Sequence, residues 1–81
     1  MGIEDAVKQR IIGLCEEHGI TINALATRAG MPRTTLKNII YGKSKNTGIV
    51  TIQLVCDAFE MSINEFFNDE LFDDIEPVRD W

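Results

Sequence analysis

Three glycines, Gly19, Gly30 and Gly42, each follow a segment whose apolar residues recur at the spacing of one helix face, which dictates short helices separated by tight turns. In the first segment Ile3, Val7, Ile11, Leu14 and Cys15 fall at i, i+4, i+8, i+11 and i+12, predicting a helix from about Ile3 to His18. Thr21 is placed to cap a second helix, whose inward stripe is Ile22, Leu25, Ala26 and Ala29 and which Gly30 ends. Pro32 fits the first turn of a third helix, because its φ is already helical and its missing N–H needs no partner there. Leu36, Ile39 and Ile40 supply the inward face, and the helix runs to about Tyr41 before Gly42 stops it. The polar stretch 43–48 reads as a surface turn. A fourth helix is expected from near Thr51 with Ile52, Val55, Cys56 and Phe59 as its stripe. Ser62 and Glu65 then have capping-box spacing for a fifth helix carrying Phe66 and Phe67. No segment alternates with period two, so the expected fold is all-α, a compact bundle of five short helices plus an acidic C-terminal tail.

With 81 residues the chain is one domain's worth and buries too little surface for a roomy enclosed active site. No run approaches the roughly 18 apolar residues of a membrane span. Glu4, Asp5, Glu16 and Glu17 stand where a signal peptide would be basic and then apolar, so a cytoplasmic protein is expected. Cys15 and Cys56 lack Cys-x-x-Cys spacing and are expected to be reduced core residues, and His18 has no second ligand at metal-site spacing. Neither a metal nor a cofactor is expected. Gly42-Lys43-Ser44 is not a phosphate loop, because Lys37 stands where the leading glycine should be and no strand precedes it. Without paired carboxylates or a nucleophile with its base, the chain does not read as an enzyme.

The net charge of −5 conceals a segregation along the chain. Residues 18–56 hold no acid and carry Arg28, Arg33, Lys37, Lys43 and Lys45, whereas residues 1–17 sum to −2 and residues 57–81 to −8. Polyanion binding depends on the local surface rather than the mean, so the basic middle is where a partner would be sought.

That middle contains two short helices joined by a three-residue turn. Ala26 removes bulk where the helices cross, Gly30 supplies positive φ, and Met31 and Leu36 fill the angle between them. Through Thr21-x-x-x-Leu25-Ala26-x-x-Ala29-Gly30-Met31, Leu36-x-x-Ile39 and Gly42, the chain resembles the Cro/C1-repressor-type (XRE-like) helix-turn-helix family. The likeness continues through Thr51-Ile52, Val55-Cys56, Ala58-Phe59, Met61-Ser62 and Glu65-Phe66-Phe67, covering roughly residues 7–67. It implies a lambda-repressor-like domain over residues 1–68, with a tail at 69–81 that is packed or at a dimer interface. Two positions depart from the family pattern. Ile22 stands where the family usually has a phosphate-contacting glutamine, and Pro32 stands where it commonly has a capping serine or threonine.

At 100° per residue, burying Leu36, Ile39 and Ile40 turns Thr34, Lys37, Asn38 and Tyr41 outward, with Arg33 on the flank. The start of a recognition helix enters the major groove, so Arg33, Thr34, Lys37 and Asn38 are the expected base-contacting residues. Arginine matches O6 and N7 of guanine, asparagine matches N6 and N7 of adenine, and threonine can touch a thymine methyl. Thr21, Asn23, Thr35, Tyr41, Lys43, Ser44 and Lys45 are the expected phosphate contacts. The reading is a DNA-binding transcription regulator, a repressor acting as a homodimer on a palindromic or pseudo-palindromic operator, with Phe66, Phe67, Leu71 and Phe72 as apolar surface for pairing.

The tail has six acids and one base around Leu71, Phe72, Ile75, Val78 and Trp81. Leu71, Phe72 and Ile75 have the spacing of a further helical turn, ended by Pro77. The alternatives are a disordered acidic segment, or carboxylates that shield the basic surface. A rival overall reading keeps the fold as a protein-interaction module, antitoxin-like or co-regulatory, that engages a protein partner through this tail.

Overall fold

A computed structural model describes residues 1–42 and 45–79; Lys43, Ser44 and Trp81, named above, lie outside the described residues. The helices are α1 (Ile3–His18), α2 (Ile22–Ala29), α3 (Arg33–Ile40), α4 (Ile49–Ala58) and α5 (Ile63–Phe67), followed by a 3-10 turn at Glu70–Phe72. Among the described residues there is no strand.

The local signals account for most helix ends. Gly30 has φ 70° and ψ 32°, the left-handed conformation that closes α2, with Met31 N–H donating to the Ala26 carbonyl at 3.0 Å. Thr21 Oγ1 accepts from the Ala24 N–H at 3.0 Å, as its capping position requires. In the capping box of α5 the Glu65 N–H donates to Ser62 Oγ and the Ser62 N–H donates to Glu65 Oε1, both at 3.0 Å. The Ser62 backbone N–H and then its hydroxyl hold the Glu65 carboxyl below the usual glutamate range.

Two boundaries differ from expectation. Pro32 is the N-cap of α3, with φ −61° and ψ 142°, and the first helical residue is Arg33. The chain must change direction between α2 and α3, and an extended proline gives that change without a stranded N–H. Helix α4 starts at Ile49, two residues before Thr51, because Ile49 and Val50 are helical yet 64% and 70% exposed and so fall outside the inward stripe.

The core draws Val7, Ile11, Leu14 and Cys15 from α1, Leu25 and Ala26 from α2, Leu36 and Ile39 from α3, Ile52, Val55 and Cys56 from α4, and adds Phe59 and Phe66. Ala6 is also fully buried, whereas Ile3, Ile22 and Ile40 are only half-buried at its margin. Phe66 has no exposed surface, and Phe67 and Phe72 pack against it and each other, with the Phe67 and Phe72 centroids 4.9 Å apart. Phe66 is therefore unavailable for pairing with a second subunit, and Phe67 and Phe72 are mostly committed to their own core.

Arg10 fastens this end of the molecule. Its Nε donates to the Phe66 carbonyl at 2.8 Å, Nη2 to the Glu65 carbonyl at 3.0 Å, and Nη1 meets Asp69 Oδ2 at 3.2 Å. The guanidinium also lies 5.9 Å from the Phe66 ring centroid. One α1 side chain thus satisfies carbonyls at the end of α5 and ties the tail's first residue to the bundle. His18, at the end of α1, donates from Nδ1 to the Leu14 carbonyl at 2.9 Å and lies against Phe59. Both cysteines are free and buried; burial, then the carboxylates of Glu16 and Asp57 respectively, raises their thiol pKa values and keeps them protonated.

Two stability tests follow from these local features. A Cβ at Gly30 or at Gly13 would meet nothing within 4 Å, so any difference between them is conformational. Gly30→Ala should lose about 1–2 kcal/mol from its positive φ, while Gly13→Ala, inside α1, should gain about 0.5–1 kcal/mol. Urea denaturation reads both, and equal effects at the two sites would contradict the turn geometry. For the α5 capping box, Ser62→Ala should cost about 1 kcal/mol at neutral pH. Because folding lowers the Glu65 pKa, its stabilising effect should be complete above about pH 4.3 and should fade as pH falls through the lower folded value. The stability gap between the wild type and Glu65→Gln should shrink accordingly in acid.

Candidate nucleic-acid interface

The interface is organised by how α3 is held. Leu36 is completely buried and Ile39 nearly so, while Ala26 of α2 and Leu25 beside it have no exposed surface. With a residue as small as alanine at the crossing, α3 seats closely on α2, and the Leu36 anchor sets its rotation. Arg33, Thr34, Lys37 and Asn38 are consequently all exposed, and Tyr41, which caps the helix, is 73% exposed. Thr35 is half-buried on the flank and its N–H donates to the Pro32 carbonyl.

The residues expected to touch phosphate flank this helix. Thr21 and Asn23 are exposed at the start of α2. Thr21 Oγ1 is engaged as an acceptor, but its hydroxyl proton is still free to donate. Lys45 is exposed in the loop before α4, whose N-cap is Gly48 with no side-chain hydrogen bond. Ile22 is half-buried against the core, so this position contributes packing where the family's glutamine would point to a phosphate.

Electrostatics divide the basic residues in two. Lys8 pairs with Asp5 at 3.6 Å and Arg10 with Asp69 at 3.2 Å. Among the described residues, Arg28, Arg33, Lys37 and Lys45 form no ion pair. Arg28, Arg33, Lys37 and Lys45 therefore keep their charge available to an external anion, whereas Lys8 and Arg10, outside the acid-free segment, are paired internally.

The helical pattern did not single out Ile49 and Val50, exposed apolar residues that follow Lys45 by four and five positions in sequence. Their signal was available only as apolar residues left over once the α4 stripe is assigned. Arg28 was counted only as charge, yet it lines an open cleft with His18, Asp57 and Glu60. No group of three potential metal ligands occurs among the described residues, and no helix there is long and apolar enough to cross a membrane.

The chain aligns in three dimensions with the crystal structure of the prophage Lp1 protein 11 at a TM-score of 0.81 and 29% identity, covering 93% of this chain and 100% of that one. Among curated proteins no sequence matches significantly. Residues 10–71 match the Cro/C1-type HTH DNA-binding domain, spanning α2, α3 and their turn together with most of the surrounding bundle, and the chain belongs to that family.

Proposed function

We propose that this protein is a sequence-specific double-stranded DNA-binding regulator that represses transcription by occupying an operator with α3 in the major groove. The observation carrying this reading is the single outward face of α3, on which Thr34, Lys37 and Asn38 are exposed while Leu36 and Ile39 hold the helix from behind. Arg33 at the helix start reads guanine through O6 and N7, Asn38 reads adenine, Thr34 touches a thymine methyl, and Lys37 reaches guanine or phosphate. Thr21, Asn23, Thr35, Tyr41 and Lys45, with Lys43 and Ser44 beyond the described residues, hold the backbone and set the register.

One such module makes few base contacts, so the proposal includes a homodimer on two half-sites about 34 Å apart. Its pairing surface lies away from Phe66, and Ile49 and Val50 are the exposed apolar residues nearest the basic loop in sequence.

Selection from random DNA followed by sequencing should enrich one two-fold-related motif. Arg33→Ala and Asn38→Ala should each cost about 1–3 kcal/mol and relax preference at one position of each half-site. Lys45→Ala should instead weaken all sequences alike and reduce the salt slope by about 1. Enrichment of no motif would overturn the DNA-reading assignment and favour a protein-interaction module.

A further inference from the structure

The C-terminal segment returns to the beginning of the chain, where residues 76–78 come to a cleft shared with Lys45. The Glu76 N–H donates to the Met1 carbonyl at 3.1 Å. Glu76, Pro77 and Val78 then line a cleft with Ile3 and Glu4 of α1 and with Lys45. A second cleft shares Ile3, Glu4 and Lys45 and continues past Asn46 and Thr47. Lys45 thus lines a cleft with two carboxylates, one from each terminal segment, without forming an ion pair with either; Glu76 Oε1 instead meets the Met1 ammonium at 3.6 Å in an exposed pair, so two negative charges and one positive charge surround the lysine.

Lys45 and Glu76 are exposed and Glu4 is half-buried, so the carboxylates have no direct partner in the lysine but lower the positive potential around it. A phosphate approaching Lys45 meets their repulsion. That penalty is independent of base sequence and is screened once the Debye length becomes short.

Resting on the DNA-binding reading above, we propose that Glu76, held against the start of α1, acts with Glu4 as an intramolecular competitor that weakens the Lys45 contact with DNA phosphate. The terminal segments therefore set the overall affinity, while α3 sets which sequence is bound. The geometry also confines the effect to local charge. Glu60 lies past the C-terminal end of α4, a helix of ten residues that rises about 14 Å from its start beside the loop, whereas the Debye length at physiological salt is about 8 Å.

The test compares the full-length wild type, Glu4→Gln/Glu76→Gln and, as a charge control, Glu60→Gln, using the duplex enriched by selection and a scrambled duplex. Both acidic positions in the double variant keep their size, and the Glu76 backbone hydrogen bond is retained; circular dichroism checks the fold. At about 50 mM salt, the double variant should bind both duplexes about threefold more tightly, with the gain shrinking as salt rises and the selected motif unchanged. Glu60→Gln should stay near the wild type. Adding Lys45→Ala should abolish the gain, which a general change in net charge would not predict. Equal binding by the wild type and the double variant, or equal gains in the double variant and Glu60→Gln, would overturn the competitor while leaving DNA recognition intact. Failure of every form to bind any duplex would overturn both.

Discussion

The burial of Leu36 in the core that α3 shares with α2 and its neighbours is the constraint on which the outward chemistry of α3 depends. A helix turns 100° per residue, so replacing that anchor by an adjacent one would carry Asn38 and Lys37 toward the flanks. Ala26 makes the seating possible by removing bulk at the crossing, and Gly30 makes it reachable by turning the chain through a left-handed residue. Ile39 adds a second inward contact one turn later, which resists rolling as well as tilting. Three buried apolar residues, Leu36, Ile39 and Ala26, together with the turn at Gly30, thereby determine the direction of four polar ones outside.

Wherever a signal was local, the sequence was a good guide. Gly19 and Gly30 end their helices with positive φ, Thr21 and Ser62 accept the hydrogen bonds their positions imply, and α1 spans the expected residues. The recognition helix was legible for the same reason, since its inward stripe, its proline and its closing glycine lie within eleven residues. Misreadings arose where apolarity had to stand for location. Ile49 and Val50 are apolar but exposed, and the rule that apolar residues lie inside runs in one direction only. Conversely, Phe66 was a candidate for contact with a second subunit but is enclosed by its own chain. Periodicity identifies a helix's apolar face without identifying which molecule covers it.

Arg10 illustrates what a linear reading cannot supply. Its partners, Glu65, Phe66 and Asp69, lie more than 50 residues away and two of them accept through backbone carbonyls, leaving no pattern of side-chain types to find. The contact joins α1 to the end of α5 and to the first residue of the tail. It therefore helps hold the acidic C-terminal segment on the body of the protein, and the Glu76 hydrogen bond to Met1 does so again farther along.

This anchoring changes how the charge segregation should be understood. On a free tail, the six acids after residue 68 would form a diffuse cloud whose effect on the basic middle is averaged over many positions. On an anchored one, each carboxylate acts according to where the fold puts it. Asp69 is held by Arg10 in a largely covered pair far from the basic loop in sequence, whereas Glu76, in an exposed pair with the Met1 ammonium, lines a cleft with Glu4 and Lys45. The same residue type thus serves packing at one point and surface potential at another. Net charge describes neither role, because the distance from each carboxylate to the basic loop, not their number, decides what a polyanion encounters there.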